Sequence, residues 1–347
     1  MSKSSPKNKK PKAPSPRSLL RRLARLTSCA FVLAWLVLAA AGDFYVHHSP
    51  AWLAEHRNPF TAPLEYFGDQ AAFFTDALGW TGRDAVNTPD DPPPEGEITF
   101  AGDPVRAGAP APADIVTLDR GEFRIGWSPS LRRPVWAAYH VPRRAAFDAG
   151  KRPNFQRDRS VKSTPAPRDY ERSGYDRGHL VPNHAIVTRF GPEAQRKTFL
   201  MTNIAPQKPN LNRGPWREME QCIADLWTAK YGEIWVVVGT IPAKPPRTFK
   251  PAKSDAIDVP EKYYMVIASQ TEDSVRLLAV LFDQTVDRWA YPRRHIVSVD
   301  ELERLTGLDF FPNMQKSLQT ALEADVPTRL WPIRAIDILK LILVRLS

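Results

Sequence analysis

Six runs of β-forming residues, interrupted at irregular intervals by helical stretches, set the main limit on how this chain folds. They lie at 123–127, 134–141, 198–204, 234–240, 263–269 and 275–282, and each is either alternating or continuously apolar. Helices are expected at 192–198, 216–231, 299–306 and 313–323. A regular strand–helix–strand alternation would build a parallel sheet; this irregular order predicts an α+β domain, a central antiparallel sheet flanked by helices. Apolar residues make up 43% of the 347, enough for a packed core and too many for wholesale disorder. Two cysteines, Cys29 and Cys222, are too few for a disulfide framework or a zinc ribbon.

The net charge of +10 is unevenly spread. Residues 1–25 hold nine Lys/Arg and no acid, and residues 26–119 have three basic against thirteen acidic side chains. Residues 120–217 carry twenty basic and seven acidic side chains, a net of +13, and the remainder is close to neutral. A segment that positive concentrates polyanions, although a solvated basic face fits the charge equally well.

The basic tail, residues 1–25, runs into an uncharged apolar stretch at 26–42. Seventeen residues of helix reach roughly 25 Å, the short end of a membrane span. With its cationic flank inside, the stretch anchors the rest of the chain outside the cytoplasm, periplasmic or extracellular. The alternatives are secretion after cleavage of a signal segment near Ala39–Ala41 and mitochondrial import. Residues 43–112 read as a spacer with short helices at 51–65 and 70–78, ending in a linker rich in proline and acids. The main domain is placed at 113–325. The tail, 326–347, spaces Leu330, Ile333, Ile336, Leu339, Ile342, Leu343 and Leu346 as an amphipathic helix.

The chemistry concentrates in residues 173–220. Hydrolysing a phosphodiester needs a base that works near neutral pH, a cation that holds the phosphate, and stabilisation of the charge that develops on oxygen. Arg177 and His179 are two apart, so on an extended stretch they point to one side. Asn212, Trp216 and Glu220 are spaced at i, i+4 and i+8, one face of a helix starting near Asn212. Each has a plain structural reading as well: His179 as a hydrogen-bonded histidine, Arg177 paired with Asp176 or Asp169, Asn212 as a helix cap, and Glu220 as a solvated charge. Trp216 reads as core, and Cys222 as a buried thiol. His184 lies close to His179, but Pro182 argues against the regular helix that a paired zinc site there would need.

The Asp-Arg-Gly-His string at 176–179, Asn-Ile-Ala-Pro-Gln at 203–207, and the run from Leu211 and Asn212 through Trp216 to Glu220 together resemble the DNA/RNA non-specific endonucleases, the ββα-metal nucleases. The strings Val-Gly-Thr-Ile at 238–241 and Leu-Thr-Gly-Leu-Asp-Phe-Phe-Pro at 305–312 extend the resemblance to roughly residues 115–315. It implies a ββα-metal fold and a metal-dependent, sequence-tolerant nuclease acting on DNA, RNA or both. His179 matches the general base and Asn212 the single protein ligand of magnesium, for which manganese can substitute. Glu220 matches a carboxylate that orients waters around the metal, and Arg177 a phosphate-contacting arginine. Asn203 and Gln207 match polar residues that support the site and its substrate. Arg152 stands for an upstream arginine at the scissile phosphate, with Lys151 and Arg157 as rivals. Homodimerisation is compatible with the resemblance. The competing reading is a nucleic-acid-binding or adaptor module that keeps the fold without turnover. Base-reading modules are absent, so weak sequence preference and salt-sensitive binding follow.

Overall fold

The chain divides into two compact units, Met1–Ala72 and Phe73–Ser347. A computed structural model describes residues 69, 72, 75–79, 82–87, 98–251, 254–271, 274–337 and 340. The apolar stretch at 26–42, the basic tail and the spacer helix at 51–65 lie outside the described residues. Among the described residues, no helix is long and apolar enough to cross a membrane.

The second unit is built on an antiparallel sheet. Its path starts with β1 (Ala85–Asn87) and continues, after the two-residue β2 (Val105–Arg106), with β3 (Val116–Asp119), β4 (Phe123–Ser128) and β5 (Arg133–Val141). A separate hairpin pairs β6 (Asp176–His179) with β7 (Ile204–Gln207). Then come β8 (Ile234–Pro242), the short β9 (Thr248–Phe249) and β10 (Ile257–Asp258), and the long β11 (Pro260–Thr271) and β12 (Ser274–Asp283). Two more short strands follow, β13 (Ile296–Val297) and β14 (Leu308–Asp309). The spatial order is β1-β12-β11-β8-β5-β4-β3, with β13 on β12. Long β-branched and aromatic runs make β8, β11 and β12 central strands, buried on both faces.

The two-residue side-chain period divides the layers. Trp136, Val237, Tyr264, Val266 and Leu277 face a core closed by Leu302, Leu318 and Leu322, which belong to the helices Val299–Thr306 and Lys316–Glu323. Tyr263, one residue before Tyr264, points the other way. It packs edge-on against Trp216 at 5.4 Å and donates its hydroxyl proton to the Pro206 carbonyl at 2.7 Å. That opposite face carries the β6–β7 hairpin and the helices beside it. Gly239 keeps this sheet tight: a Cβ there would collide with the Tyr264 hydroxyl and the Val135 carbonyl. The folded unit also takes in part of the stretch read as spacer, because β1 pairs with β12 and Phe100 is fully buried in the core.

Several expected elements come out differently. Residues 198–204 are not one strand. Helix α1 (Asn183–Thr198) ends there, Leu200 makes an isolated bridge to Gln156, a 3-10 turn follows at Met201–Asn203, and a strand begins only at Ile204. The cause is Asn203, whose carboxamide donates to the Thr198 and Val181 carbonyls, both at 2.9 Å, and fixes a turn where propensity favoured a strand. Helix α1 also starts nine residues before the expected 192, with a break at Gly191 (φ 84°). Pro182 does not prevent it, because proline is tolerated at the N-cap, where its missing N–H costs nothing. The expected helix at 313–323 begins at Lys316.

The tail does not form the amphipathic helix over its described part. Residues 329–334 form no regular element, and a 3-10 turn follows at Ala335–Asp337. Pro332 forbids a regular helix interior. Instead Trp227 donates its indole N–H to the Trp331 carbonyl and Tyr231 its hydroxyl to the Pro332 carbonyl, both at 2.7 Å.

Candidate active site

The β6–β7 hairpin pairs Asp176 with Gln207, Arg177 with Pro206, Gly178 with Ala205 and His179 with Ile204. Gly178 is required by this pairing, since a Cβ would strike the Gln207 side chain. Asn203 locks the strand exit beyond His179: Val181 donates its N–H to the Asn203 Oδ1 at 2.9 Å. After β7 come two short helices, α2 (Pro209–Arg213) and α3 (Pro215–Gln221). The single helix face expected for Asn212, Trp216 and Glu220 is therefore broken at Gly214, where a side chain would collide with the Asn210 and Arg288 carbonyls. The chain then runs helically through a π-turn, Cys222–Trp227, to Tyr231.

These elements surround an open cleft of about 700 Å³ lined by Arg152, Arg177, His179, Asn212, Arg217, Glu220 and Arg288, among others. Five residues singled out in the sequence thus share one cavity. Arg152 is the upstream arginine that lines it; Lys151 does not, and Arg157 is bound to the Lys162 carbonyl instead. Asn203 and Gln207 do not reach it. Both are fully buried beneath the hairpin, so a direct contact with substrate is replaced by structural support.

His179 sits in an aromatic notch. Its ring centroid is 5.2 Å from Phe155 and 4.9 Å, edge-on, from Phe199. The same two rings carry the arginines, with Arg177 Cζ 5.1 Å from the centroid of Phe155 and Arg152 Cζ 5.7 Å from that of Phe199. Backbone bonds from Gln156 N–H to the Phe199 carbonyl (3.0 Å) and from Met201 N–H to the Gln156 carbonyl (2.9 Å) pin the two aromatic segments together. Burial, helped by the Arg152 charge, pushes the imidazole pKa down to about 3, so the ring is neutral at physiological pH. Its Nε2 is buried without a hydrogen-bond partner among the described residues, and the residue lines the cleft.

Glu220 shows the opposite shift. Burial raises it to about 8, while the Trp216 indole N–H and the Arg152 and Arg217 charges pull the other way. Asn212 is held by Asp176: the carboxylate accepts the amide N–H at 2.9 Å and two bonds from Arg213, at 2.9 and 2.7 Å. With its nitrogen committed, Asn212 has its carboxamide oxygen left to offer. That oxygen and a substrate phosphate are hard oxygen donors suited to magnesium, with the Glu220 carboxyl group on the same cleft wall within reach of metal-bound water. His184 lies at the rim with Nε2 3.0 Å from Asp225, an exposed pair rather than a zinc site.

Sequence reasoning missed Phe155, Phe199, Asp176, Arg217 and Arg288. Asp176 stands inside the Asp-Arg-Gly-His string, where neighbouring Arg177 is the visible partner. The structure pairs it with Arg213 instead. Phe199 falls within the expected strand, and Arg288 has no spacing that ties it to the motif.

The model of the DNA/RNA non-specific endonuclease family matches residues 101–317, well over half of the chain. The chain belongs to that family. A protein named Nuclease from Nostoc sp. is 29% identical over 227 residues, which are 61% of this chain and 79% of its own length. Human mitochondrial Endonuclease G is 30% identical over 61% of this chain and 74% of its own. Danio rerio mitochondrial Nuclease EXOG is 32% identical over 55% of this chain and 60% of its own, so the chain spans less than two thirds of that relative. A crystal structure of an EndoG/EndoGI complex shares the fold, with a TM-score of 0.50 at 23% identity over 58% of this chain and 88% of that one. Family and named relatives together support a phosphodiester-hydrolysing endonuclease.

Proposed function

We propose that this chain cuts DNA, RNA or both without regard to base sequence, with His179 as the general base. The observation that carries the reading is the meeting of a neutral buried imidazole, two arginines, a carboxamide and a carboxyl group around one cleft. Arg152 and Arg177 bind the non-bridging oxygens of the scissile phosphate through their planar N–H forks. The incoming anion offsets the Arg152 charge that depresses the imidazole, so substrate binding itself raises the basicity of His179. The His179 imidazole takes a proton from water as the water oxygen attacks phosphorus, the bond to the 3′ oxygen breaks, and that oxygen takes a proton from solvent. Asn212 would hold magnesium or manganese through its carboxamide oxygen, with Glu220 orienting the water around it, and the metal would supply electrostatic stabilisation of the developing negative charge. None of these contacts reads a base edge, hence the tolerance of sequence.

His179→Ala tests this directly. Plasmid nicking is expected to fall by ~10²–10⁴-fold, and near-native cleavage by that variant rejects His179 as the base. We also read residues 26–42 as a membrane anchor with the nuclease domain outside the cytoplasm. The mitochondrial names of several relatives favour the import alternative. Carbonate extraction of membranes, with and without residues 1–42, discriminates between them.

A further inference from the structure

We propose that Arg288 binds the backbone phosphate next to the one being cut, so that the grip on the substrate extends beyond the scissile bond. The inference rests on the nuclease reading and adds to it a residue that grips the substrate beside the scissile phosphate. Arg288 comes from the loop after β12, far in sequence from the motif, yet it lines the same cleft as His179 and Asn212.

Its backbone is fixed to the site at close range. The Arg288 carbonyl packs so near Gly214 that any side chain at 214 would strike it. Gly214 is two residues from Asn212, so the loop is registered against the turn that presents the carboxamide. The loop is tied to the site at its Gln284 end and braced by a local turn around Arg288. Gln284 accepts the Lys208 N–H at 2.7 Å and donates to the Pro206 carbonyl at 2.8 Å, and Asp287 accepts the Trp289 N–H at 2.7 Å.

The guanidinium on this fixed base has no carboxylate partner among the described residues. Its contact is the ring of Trp289, with Cζ 5.3 Å from the centroid. Arg213, another arginine lining the cleft, is spent on Asp176. A guanidinium lying over an indole keeps its N–H edge for an oxyanion, the geometry suited to phosphate. One phosphodiester has two non-bridging oxygens, and Arg152 and Arg177, both mounted on the notch around His179, meet that demand. Arg288 enters beside Gly214, on the Asn212 side, so its natural partner is the adjacent phosphate.

The test is equilibrium binding of the full chain to a 20-base-pair duplex in chelator, so that nothing is cut, over a range of salt. Arg288→Ala should weaken binding roughly fivefold or more and reduce the slope of log K against log salt by about 0.9. Arg288→Lys should keep the native slope, because it keeps the charge, and Arg288→Gln should behave like alanine while filling the same space. Arg304→Ala, which removes an arginine paired with Glu301 on the far helix, should leave the slope alone. In turnover, Arg288→Ala should raise KM for the duplex more than it lowers kcat. A native slope and KM in both the alanine and glutamine variants, with unchanged melting temperatures, would overturn the inference. A slope lost in the lysine variant too would assign Arg288 to packing and overturn it equally. A native chain that binds duplex but never nicks it with magnesium restored would instead overturn the nuclease reading, and the two failures are therefore distinct.

Discussion

Asp176→Ala separates the positioning of Asn212 from the stability of the hairpin. The Asp176 carboxylate accepts one bond from Asn212 and two from Arg213. Arg213 is mostly exposed, its side chain 59% accessible, so solvent screening leaves that ion pair worth about 1 kcal/mol or less. It is also present with or without metal, and therefore belongs in the melting temperature and cancels in a metal titration. The Asn212 bond differs. A hydrogen bond to a charged acceptor is worth about 1.5–3 kcal/mol, and here it decides which end of the carboxamide faces the cleft. If the whole of that term is lost from metal binding, affinity falls by about 10- to 150-fold. This overlaps the ~10–100-fold typical of residues that orient a ligand from behind. The assay is plasmid nicking against magnesium concentration. Asp176→Ala is expected to move the half-saturating concentration up by roughly 10-fold or more, with much of the rate recovered at high magnesium. Asp176→Asn retains an acceptor for the Asn212 N–H and should fall between. A midpoint within about twofold of native for the alanine variant would show that the carboxamide is oriented by something else, and the reasoning would fail.

Arg152→Ala should raise the His179 pKa from about 3 toward its ordinary range without reaching it, because burial, the larger cause, persists; imidazole NMR titration reads this, and an unchanged value refutes the coupling. Glu323, buried and close to Glu303, is pushed up to about 8. The native state therefore holds that proton more tightly than the unfolded chain, so the stability it contributes is full below about 4.5 and is lost as pH rises toward 8. Glu323→Gln is expected to melt higher than native at pH 9 and close to native at pH 4; the reverse order would show that the carboxylate is ionised and satisfied in the fold.

The central strands were legible because local and global preferences agree in them: Val236, Val237 and Val238 suit a strand buried on both faces, and no turn residue interrupts them. The candidate site was partly legible through spacing, since Arg177 and His179 share one strand, whereas Asn212 and Glu220 reach the same cleft from two separate short helices. What escaped depends on contacts between distant segments. Gly214 breaks the expected helix because a carbonyl from residue 288 occupies the space of its side chain, and nothing near Gly214 in the sequence announces that. Asn203 overrides the strand preference of 198–204 through side-chain bonds to backbone groups on both sides. The aromatic notch needs Phe155 and Phe199 from separate segments, and neither residue type is unusual where it stands.

The irregular tail at 329–334 has a practical side. Residues matching the family stop at 317, yet Trp331 and Leu330 are buried and the Trp331 backbone caps Trp227. That tryptophan ends the π-turn that follows the helix carrying Glu220. Arg329 reaches back to Asp84 and to the Gly79 carbonyl, so the strap also buckles the two margins of the unit together. A fragment trimmed to the family boundaries discards this clasp and bares an indole. Poor yield or feeble cleavage from so short a piece would speak of the missing buckle and leave the catalytic groups untested.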